Sequence, residues 1–281
     1  MRFALSIPNF GEYADARAVA ALAREAEDAG WDGVFVWDHL LAWNGNVVAD
    51  PWAILTAIAL ATERVRIGPM ITPLARRRPW VVARQVVTLD RLSNGRLTLG
   101  VGLGNPPREE FEVFGEPGDA RIRGEILDEA LVVLIGLLTG EPFSHEGARF
   151  RIDDVTFLPA CMQTPRVPIW VGGSWATRAP FRRAARFEGV VPISVPDEHG
   201  EVLLSIEQMR EVVEFVLAER HGADGEFDAV FTGLMPEDRR EGAQMAGELA
   251  SFGVTWWQVS PGYGEDAEAV ADWVREGPPR R

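Results

Sequence analysis

The chain has 281 residues, of which 47% are hydrophobic, and it carries a formal net charge of -14 with a pI near 4.8. A chain of this size and composition can bury a large core, while its negative charge argues against nucleic acid or an anionic membrane surface as a partner. Every basic residue other than histidine is arginine, which excludes Schiff-base catalysis by lysine and the lysine of a P-loop.

The cysteine content and the hydropathy exclude further classes of protein. Cys161 is the only cysteine, so the chain cannot form an internal disulfide, a zinc ribbon or an iron–sulfur cluster. Residues 1–8 enter a strand-like pattern without the apolar core of a signal peptide, and no later segment has the unbroken apolar length of a membrane span. We therefore expect a cytoplasmic enzyme without a membrane partner.

Hydrophobic periodicity predicts three strand-then-helix units followed by a fourth strand. A helix stop at Gly30 separates the first helix from the second strand, and Asp50 with Pro51 marks the start of the second helix. The predicted strands cover 3–7, 34–37, 65–68 and 97–101, and the predicted helices cover 15–29, 51–62 and 79–92.

The regular alternation is interrupted between the fourth and fifth strands. Residues 106–120 are charged and rich in proline and glycine, which predicts a loop insertion, and helical periodicity returns over 122–138. Residues 142–168 space aromatic and branched side chains around Asp153 and Asp154. This spacing predicts a β-hairpin excursion before the main fold resumes.

Four more strands complete the pattern. They are predicted at 168–171, 189–193, 229–232 and 255–259, and their helices at 177–187, 202–220, 239–252 and 265–276. Eight strand-then-helix units predict an α/β fold, a single (β/α)8 TIM barrel that takes up residues 1–281 as one domain. A doubly wound Rossmann sheet is the alternative, but the glycines of 100–104 are spaced G-x-G-x-G and not G-x-G-x-x-G.

Two polar residues, Asp38 and His39, end the hydrophobic run of the predicted second strand. Active sites of parallel barrels lie at the carboxyl ends of the strands, so chemistry is expected there. An imidazole, with an ordinary pKa of about 6.5, suits a proton donor or acceptor, and a core or capping histidine held by Asp38 is the alternative. His145, His199 and His221 are too scattered along the chain to predict a metal site.

Two further segments raise the possibility of anion binding. The run from Gly172 to Arg178 lies between a predicted strand and helix, where amide groups, small hydroxyls and a guanidinium can converge on a phosphate. An ordinary βα turn that needs glycine is the alternative. Arg76, Arg77 and Arg78 follow the third strand, where they could meet a phosphate or a polyglutamyl tail, or form a solvated surface patch.

Several short motifs occur in a specific order and spacing. They are GWDGVFVWDH at 30–39, ATERVRIG at 61–68, TP at 72–73, RRRPW at 76–80, LSNGRL at 92–97, GVG at 100–102 and PIWVGG at 168–173. In this order they resemble the luciferase-like monooxygenase superfamily, the flavin- and deazaflavin-dependent (β/α)8 oxidoreductases. The resemblance runs nearly end to end and implies a flavin-type ring lying across the barrel mouth.

The resemblance also implies a cofactor and catalytic residues. Members that use coenzyme F420, a deazaflavin, carry Asp-His after the second strand with a tryptophan four residues beyond the histidine, and Asp38, His39 and Trp43 match that arrangement. It implies that His39 exchanges a proton beside the ring, that Asp38 orients the imidazole or binds cofactor hydroxyls, and that Trp43 packs over the substrate side. FMN is the alternative cofactor; it would make the protein a monooxygenase served by a separate flavin reductase.

Other cofactor contacts are implied by position in the family. With Asp38, they are Met70, Thr72, Leu103, Gly104, Asn105, Gly172, Gly173, Ser174, Trp175 and Arg178. Related enzymes have a non-proline cis peptide after the third strand, which by motif position is Pro69–Met70. The sugar-phosphate dehydrogenases of the deazaflavin branch have a glutamate where this chain has Asn105, so a carboxylate base is missing at that position.

We therefore predict an oxidoreductase that exchanges hydride between F420 and a small organic substrate. An FMN-dependent two-component monooxygenase is the alternative within the family, and a non-catalytic cofactor- or metabolite-binding barrel is the alternative outside the enzyme class. The fold predicts that His39, Thr72, Asn105, Gly173 and Ser260 converge at one end of the barrel. Homodimers are common in the family, and the sequence carries no diagnostic motif for the substrate.

Overall fold

The computed structural model describes residues 1–41, 47–194, 204–221, 225–260 and 267–279. Its strands are β1 (Arg2–Ile7), β2 (Gly33–Val36), β3 (Arg66–Pro69), β4 (Thr72–Pro73), β5 (Leu99–Gly102), β6 (Pro142–Glu146), β7 (Arg151–Thr156), β8 (Ile169–Ser174), β9 (Gly189–Ile193), β10 (Asp228–Thr232) and β11 (Trp256–Val259). Its helices are α1 (Ala16–Asp28), α2 (Pro51–Ala61), α3 (Pro79–Leu92), α4 (Pro107–Glu110), α5 (Ala120–Leu138), α6 (Ala179–Ala184), α7 (Ile206–Glu219), α8 (Arg239–Ser251) and α9 (Ala267–Glu276).

Nine of the strands form one parallel sheet that curls into a nearly closed barrel. Their order is β3-β2-β1-β11-β10-β9-β8-β5-β4. The peptide N–H of Thr98 donates to the carbonyl of Ile67 at 2.9 Å, and this contact joins β3 to the start of β5. β3 and β4 are two halves of one barrel strand. The nine strands therefore correspond to the eight strand positions of the barrel. The predicted (β/α)8 barrel is confirmed, and the Rossmann alternative is wrong.

The cap predicted at Asp50 is confirmed, and three further aspartates cap helices. Asp15, Asp50, Asp119 and Asp238 each accept a hydrogen bond from a peptide N–H in the first turn of the helix that follows. Capping satisfies amides that have no partner inside the helix. In the part of the chain that the structure describes, no helix is both long and apolar enough to cross a membrane.

Large side chains fill the interior of the barrel. Phe35, Met70, Trp170 and Trp256 are buried there in one cluster, and the two indole rings meet edge to face at 5.5 Å. At the amino-terminal end of the strands, the guanidinium of Arg2 pairs with Asp228 at 2.7 Å. The barrel is therefore a packed core, as in other eight-stranded barrels.

The two predicted interruptions differ in character. β6 and β7 form the expected antiparallel hairpin, and Glu129 of α5 accepts the peptide N–H groups of Arg149 and Phe150 at its tip. Residues 106–120, predicted as a loop, contain α4 and a 3-10 turn at Glu112–Phe114. Pro107 at the first position of α4 favours this short helix.

The cis peptide predicted at Pro69–Met70 is placed one residue too early. The structure has the cis bond at Met70–Ile71. The peptide N–H of Met70 donates to the carbonyl of Val36 at 2.7 Å, so Met70 still belongs to the ladder between β2 and β3. The hydrogen bond from Met70 to Val36 thus keeps Met70 in line with β3, and the chain turns away from β3 after Met70.

Candidate active site

The residues predicted to converge do lie at one end of the barrel. His39 follows β2, Thr72 is in β4, Asn105 follows β5, Gly173 is in β8 and Ser260 follows β11. All of these strands are parallel, so their carboxyl ends share one rim. This prediction is confirmed.

Asp38 is the most densely bonded acid of this rim. Its side chain is fully buried and accepts hydrogen bonds from the hydroxyl of Thr72, from Nη2 of Arg76 at 2.8 Å and from Nη2 of Arg77 at 2.7 and 2.8 Å. Arg76 also donates to the carbonyl of Asp38 at 2.6 Å. These bonds occupy both carboxylate oxygens, so Asp38 serves as an anchor for the two guanidinium groups.

Arg76 and Arg77 are therefore neither a phosphate site nor a solvated patch. Their side chains are 4% and 17% exposed, and their charges are offset by carboxylates within the protein. Arg78 is exposed and lies over the ring of Trp80 at 5.9 Å. Of the three consecutive arginines, Arg76 and Arg77 belong to a buried ion cluster and Arg78 lies on the surface.

Glu110 completes the cluster, and the sequence did not identify it. Its side chain, 1% exposed, accepts from Nη1 of Arg76 and from the peptide N–H of Leu40, and lies 3.0 Å from Nδ1 of His39. The expectation that Asp38 orients the imidazole is wrong, because Glu110 does so. The only hint in the sequence is that Glu110 stands beside a large aromatic residue, Phe111, in a charged segment.

The contact with Glu110 fixes the tautomer of His39. A carboxylate paired with an arginine accepts hydrogen bonds, so Nδ1 of His39 carries the hydrogen that lies between the two groups. In the neutral ring, Nε2 is then the nitrogen that carries no hydrogen. The backbone of His39 is also held, since the carboxamide of Asn9 accepts from its N–H at 3.1 Å and donates to its carbonyl at 2.9 Å.

Glycines on β5 and β8 make room for the chain that leaves β3. A Cβ at Gly102 would overlap the side chain of Ile71, and a Cβ at Gly172 would come within 2.8 Å of it. A Cβ at Gly100 would come within 2.7 Å of the sulfur of Met70. Met70 and Ile71 therefore form a shelf that leans across the barrel mouth, and only glycine beneath it avoids a clash.

The turn after β5 is fixed by a buried arginine. Nη1 of Arg123 donates to the carbonyls of Leu103 at 3.0 Å and Gly104 at 2.7 Å, and burial lowers the pKa of this guanidinium from its ordinary value. Gly104 has a φ of +78°, and a Cβ there would lie 2.8 Å from Pro73. These contacts set the position of Asn105 at the rim.

The segment after β8 is tightly folded. The N–H of Trp175 donates to Ile193 at 2.9 Å and that of Ala176 to the hydroxyl of Ser174 at 3.4 Å, so these amides have partners within the protein. The Trp175 ring packs against Phe181 and, on its other face, lies 3.3 Å from the guanidinium carbon of Arg178. Arg178 is exposed and has no carboxylate within ion-pair distance among the described residues. A cofactor contact for this segment remains a prediction.

Two of the predicted residues cannot be placed. Trp43 and His199 lie outside the described residues. His145 contacts Glu129 in the hairpin, away from the barrel rim. Within the described ranges, no group of three or more histidine, cysteine and acidic side chains is arranged to hold a metal ion.

Comparisons with known proteins agree with this architecture. The family model for luciferase-like monooxygenases matches residues 1–228. An F420-dependent secondary alcohol dehydrogenase in complex with an F420-acetone adduct superposes with a TM-score of 0.79, at 18% identity over 99% of this chain and 98% of that one. The FMN complex of the oxygenating constituent of 3,6-diketocamphane monooxygenase from Pseudomonas putida gives 0.67, at 19% identity over 88% and 71%.

Curated relatives are a little over one third identical to the chain over the part that aligns. The F420-dependent glucose-6-phosphate dehydrogenase of Microbacterium testaceum is 37% identical over 179 residues, covering 61% of this chain and 51% of the relative. That of Nakamurella multipartita is 36% identical over 176 residues, covering 60% and 50%. The chain thus spans about half the length of these relatives. The match to the family model over residues 1–228 shows that the chain belongs to the luciferase-like monooxygenase family, and the barrel agrees with this.

Proposed function

We propose that the protein is an F420-dependent oxidoreductase that exchanges hydride with a small organic substrate. The observation that carries the proposal is the His39–Glu110 pair, which stands at the barrel mouth with its proton-exchanging nitrogen fixed. Relatives named as F420-dependent dehydrogenases support the choice of cofactor. The alignment covers only about half of each relative, so we do not assign their substrate, glucose 6-phosphate, to this protein.

The rim has features that fit a flavin-type ring with an anionic tail. The shelf of Met70 and Ile71 gives such a ring a flat support, and the glycines below it leave no side chain in the way. Arg178 is an exposed cation four residues after Ser174, and we propose that the two bind a phosphate. Thr72, Leu103, Gly104, Asn105, Gly172 and Gly173 line the same half of the rim and remain our proposed cofactor contacts.

In this proposal the protein supplies proton transfer and positioning. When bound, the deazaflavin accepts or donates the hydride. Nε2 of His39 takes the proton from a substrate hydroxyl during oxidation and returns it to a carbonyl oxygen during reduction. Glu110 lies beside the imidazolium that forms, and Arg76 holds Glu110 in place. Asn105 carries no carboxylate, so this proposal assigns proton acceptance to His39 and not to residue 105.

The cofactor choice is tested by titrating the apo-protein with oxidised F420 and with FMN. We expect F420 to bind at least tenfold more tightly, which is a gap of about 1.4 kcal/mol. Tenfold tighter binding of FMN, together with consumption of oxygen when a flavin reductase is added, would show the monooxygenase instead. Tight binding of F420 without turnover on a panel of alcohols and carbonyl compounds would show a carrier or sensor.

The role of His39 is tested by the variant His39→Ala, with His145→Ala as the control. We expect His39→Ala to bind F420 within a few fold of wild type and to turn over roughly 100-fold more slowly, the usual scale for loss of a general acid or base. His145 lies in the hairpin, so its loss should leave turnover unchanged. Equal turnover in both variants would mean that His39 is structural.

A further inference from the structure

Trp37 is an aromatic residue of the barrel mouth to which the proposed reaction gives no part. It follows β2, and its peptide N–H donates to the carbonyl of Ile7 at 2.9 Å, so the ladder between β1 and β2 continues through it. Phe35, two residues earlier, belongs to the interior cluster. Because side chains alternate along a strand, the indole of Trp37 also points into the barrel, nearer to the mouth than Phe35.

The indole of Trp37 is anchored at its polar edge. Its Nε1 donates to the hydroxyl of Ser6 on β1 at 2.8 Å. Ser6 is 4% exposed, and Ala4, two residues before it, belongs to the interior cluster. A hydrogen bond to a group with so little contact with water is costly to break, because water does not readily replace the lost partner. Ser6 therefore sets the orientation of the indole.

Trp37, Phe10 and His39 form a triangle of rings. The centroid of the imidazole lies 5.9 Å from that of Trp37, with an angle of 59° between the planes, and 5.9 Å from that of Phe10, with an angle of 72°. Trp37 and Phe10 also meet each other, at 6.1 Å and 67°. Aromatic pairs are attractive in tilted and edge-to-face arrangements at such distances. Two rings thus limit the tilt of the imidazole.

The contact with Glu110 does not by itself set the direction of Nε2. Nδ1 of His39 lies 3.0 Å from Oε1 of Glu110, and a planar ring that is held at one nitrogen can still rock about that contact. Direction matters for proton transfer, since a displacement of about 1 Å in an active site can slow turnover roughly 100-fold. The contacts with Trp37 and Phe10 restrict this rocking.

We propose that Trp37, anchored by Ser6, is a positioning residue that holds the imidazole of His39 in the orientation in which Nε2 meets the substrate. The effect on turnover rests on the proposed function, whereas the orientation of the ring is a property of the protein without its cofactor. Neither Ser6 nor Trp37 exchanges a proton in this reaction. Loss of the anchor should therefore slow turnover without weakening the binding of cofactor or substrate.

The test compares Ser6→Ala with Ser6→Thr, which keeps the hydroxyl, and with the control Ser93→Ala. Ser6→Ala retains all three rings and removes only the group that anchors the indole. Ser93 is 0% exposed, and its hydroxyl donates to the carbonyl of Asp90 at 3.2 Å, at the amino-terminal end of the barrel. Both alanine variants lose a buried hydrogen bond, so both should melt below wild type.

Turnover should separate these variants. We expect kcat to fall roughly 10-fold in Ser6→Ala because His39 is misplaced, while KM and F420 affinity stay within about threefold of wild type. Ser6→Thr should regain most of the loss, and Ser93→Ala should turn over like wild type. Trp37→Phe, which keeps a ring but has no N–H to donate to Ser6, should resemble Ser6→Ala.

A spectroscopic measurement on the apo-protein reports the orientation of the imidazole directly. The proton NMR signal of the Cε1–H group of His39 is assigned by its loss in His39→Ala. Neighbouring aromatic rings shift this signal by an amount that depends on their geometry. We expect it to move or broaden in Ser6→Ala, and to keep its wild-type position in Ser6→Thr and in Ser93→Ala.

Several results would overturn the proposal. An unchanged kcat in Ser6→Ala would refute it whether or not the signal of His39 moves, and an unchanged signal would make Ser6 and Trp37 purely structural. Weaker binding of F420 or substrate with wild-type kcat would make Trp37 a ligand contact instead. If wild type does not bind F420, the proposed function fails separately. The signal of His39 then decides: a shift in Ser6→Ala that is absent in Ser6→Thr supports the positioning role, and equal signals refute it.

Discussion

The buried cluster beside His39 contains equal numbers of positive and negative side chains. Asp38 and Glu110 supply two negative charges, and Arg76 and Arg77 supply two positive ones, all with little exposure to solvent. Removing one member of such a cluster leaves a charge without a partner in a poorly solvated place. That typically costs about 3–5 kcal/mol, far more than loss of a surface ion pair.

The variant Glu110→Gln tests this balance, with Glu109→Gln as its neighbour control. Glu110→Gln keeps the shape but leaves Arg76 with one carboxylate fewer, so we expect a clear fall in melting temperature and at least a tenfold loss of turnover. Glu109 is 38% exposed and pairs with Arg108 at 3.8 Å, so its variant should match wild type in both measurements. Equal behaviour of the two variants would refute a special role for Glu110.

The sequence located one half of this site and not the other. Asp38 and His39 were found because polar side chains ended a hydrophobic strand, a local pattern. Glu110 is 71 residues from His39, and its approach depends on how α4 folds back after β5. No periodicity or spacing records such a contact. The same limit explains why the sequence did not reveal that Arg76 and Arg77 are buried.

At the scale of secondary structure, an acid at the end of α1 organises the start of β3. Glu27 accepts the peptide N–H groups of Glu63 at 3.0 Å and Val65 at 2.9 Å, and also that of Arg64 between them. Burial pushes the pKa of Glu27 upward, but these backbone donors together outweigh it, so the pKa lies below its ordinary value of 4.5. The ionised side chain therefore stabilises the fold.

The variant Glu27→Gln should show how this stabilisation depends on pH. Because the folded pKa is depressed, the contribution of Glu27 is fully present above about pH 4.5 and is lost as pH falls through the lower folded value. We expect the variant to be less stable by about 1–3 kcal/mol at pH 7, with the difference shrinking below pH 4.5. Denaturant unfolding at several pH values measures this. Asp28→Asn, at an exposed neighbour, is the control and should be as stable as wild type at pH 7.

Most elements were predictable because their patterns are local. The strands and helices were predicted from hydrophobic periodicity and helix-start signals. The eight-stranded barrel was predicted from the number of strand-then-helix units. The shelf was harder, since the position of the cis bond depends on the hydrogen bond from Met70 to Val36 in the neighbouring strand. Residues 106–120 looked like a loop because α4 is only four residues long.

For the whole molecule, net charge and local charge act in opposite directions on an anionic cofactor. The chain carries -14 overall, so it repels an anion at long range, while Arg178 in our proposal attracts one at the rim. Salt screens the long-range repulsion first. Association and dissociation should therefore respond differently to ionic strength.

Stopped-flow binding of F420 between 10 and 150 mM salt, on the order of the range over which surface charges become screened, measures both rates. We expect the association rate of wild type to rise a few fold with salt. Arg178→Ala should dissociate faster than wild type, while Arg182→Ala, at a neighbouring arginine that pairs with Glu219, should not. An association rate that falls with salt would reveal an attractive field at the mouth and contradict this account.

The ion cluster also has a consequence for how the barrel stays closed. The ladder between β2 and β3 ends near Met70, and β4 pairs with β5, so the hydrogen bonds of Thr72, Arg76 and Arg77 to Asp38 tie β2 to β4 where backbone bonds are missing. Glu110, which contacts the imidazole of His39, is joined to these bonds through Arg76. We therefore expect the loss of a single charge here to weaken the barrel wall and to displace His39 as well.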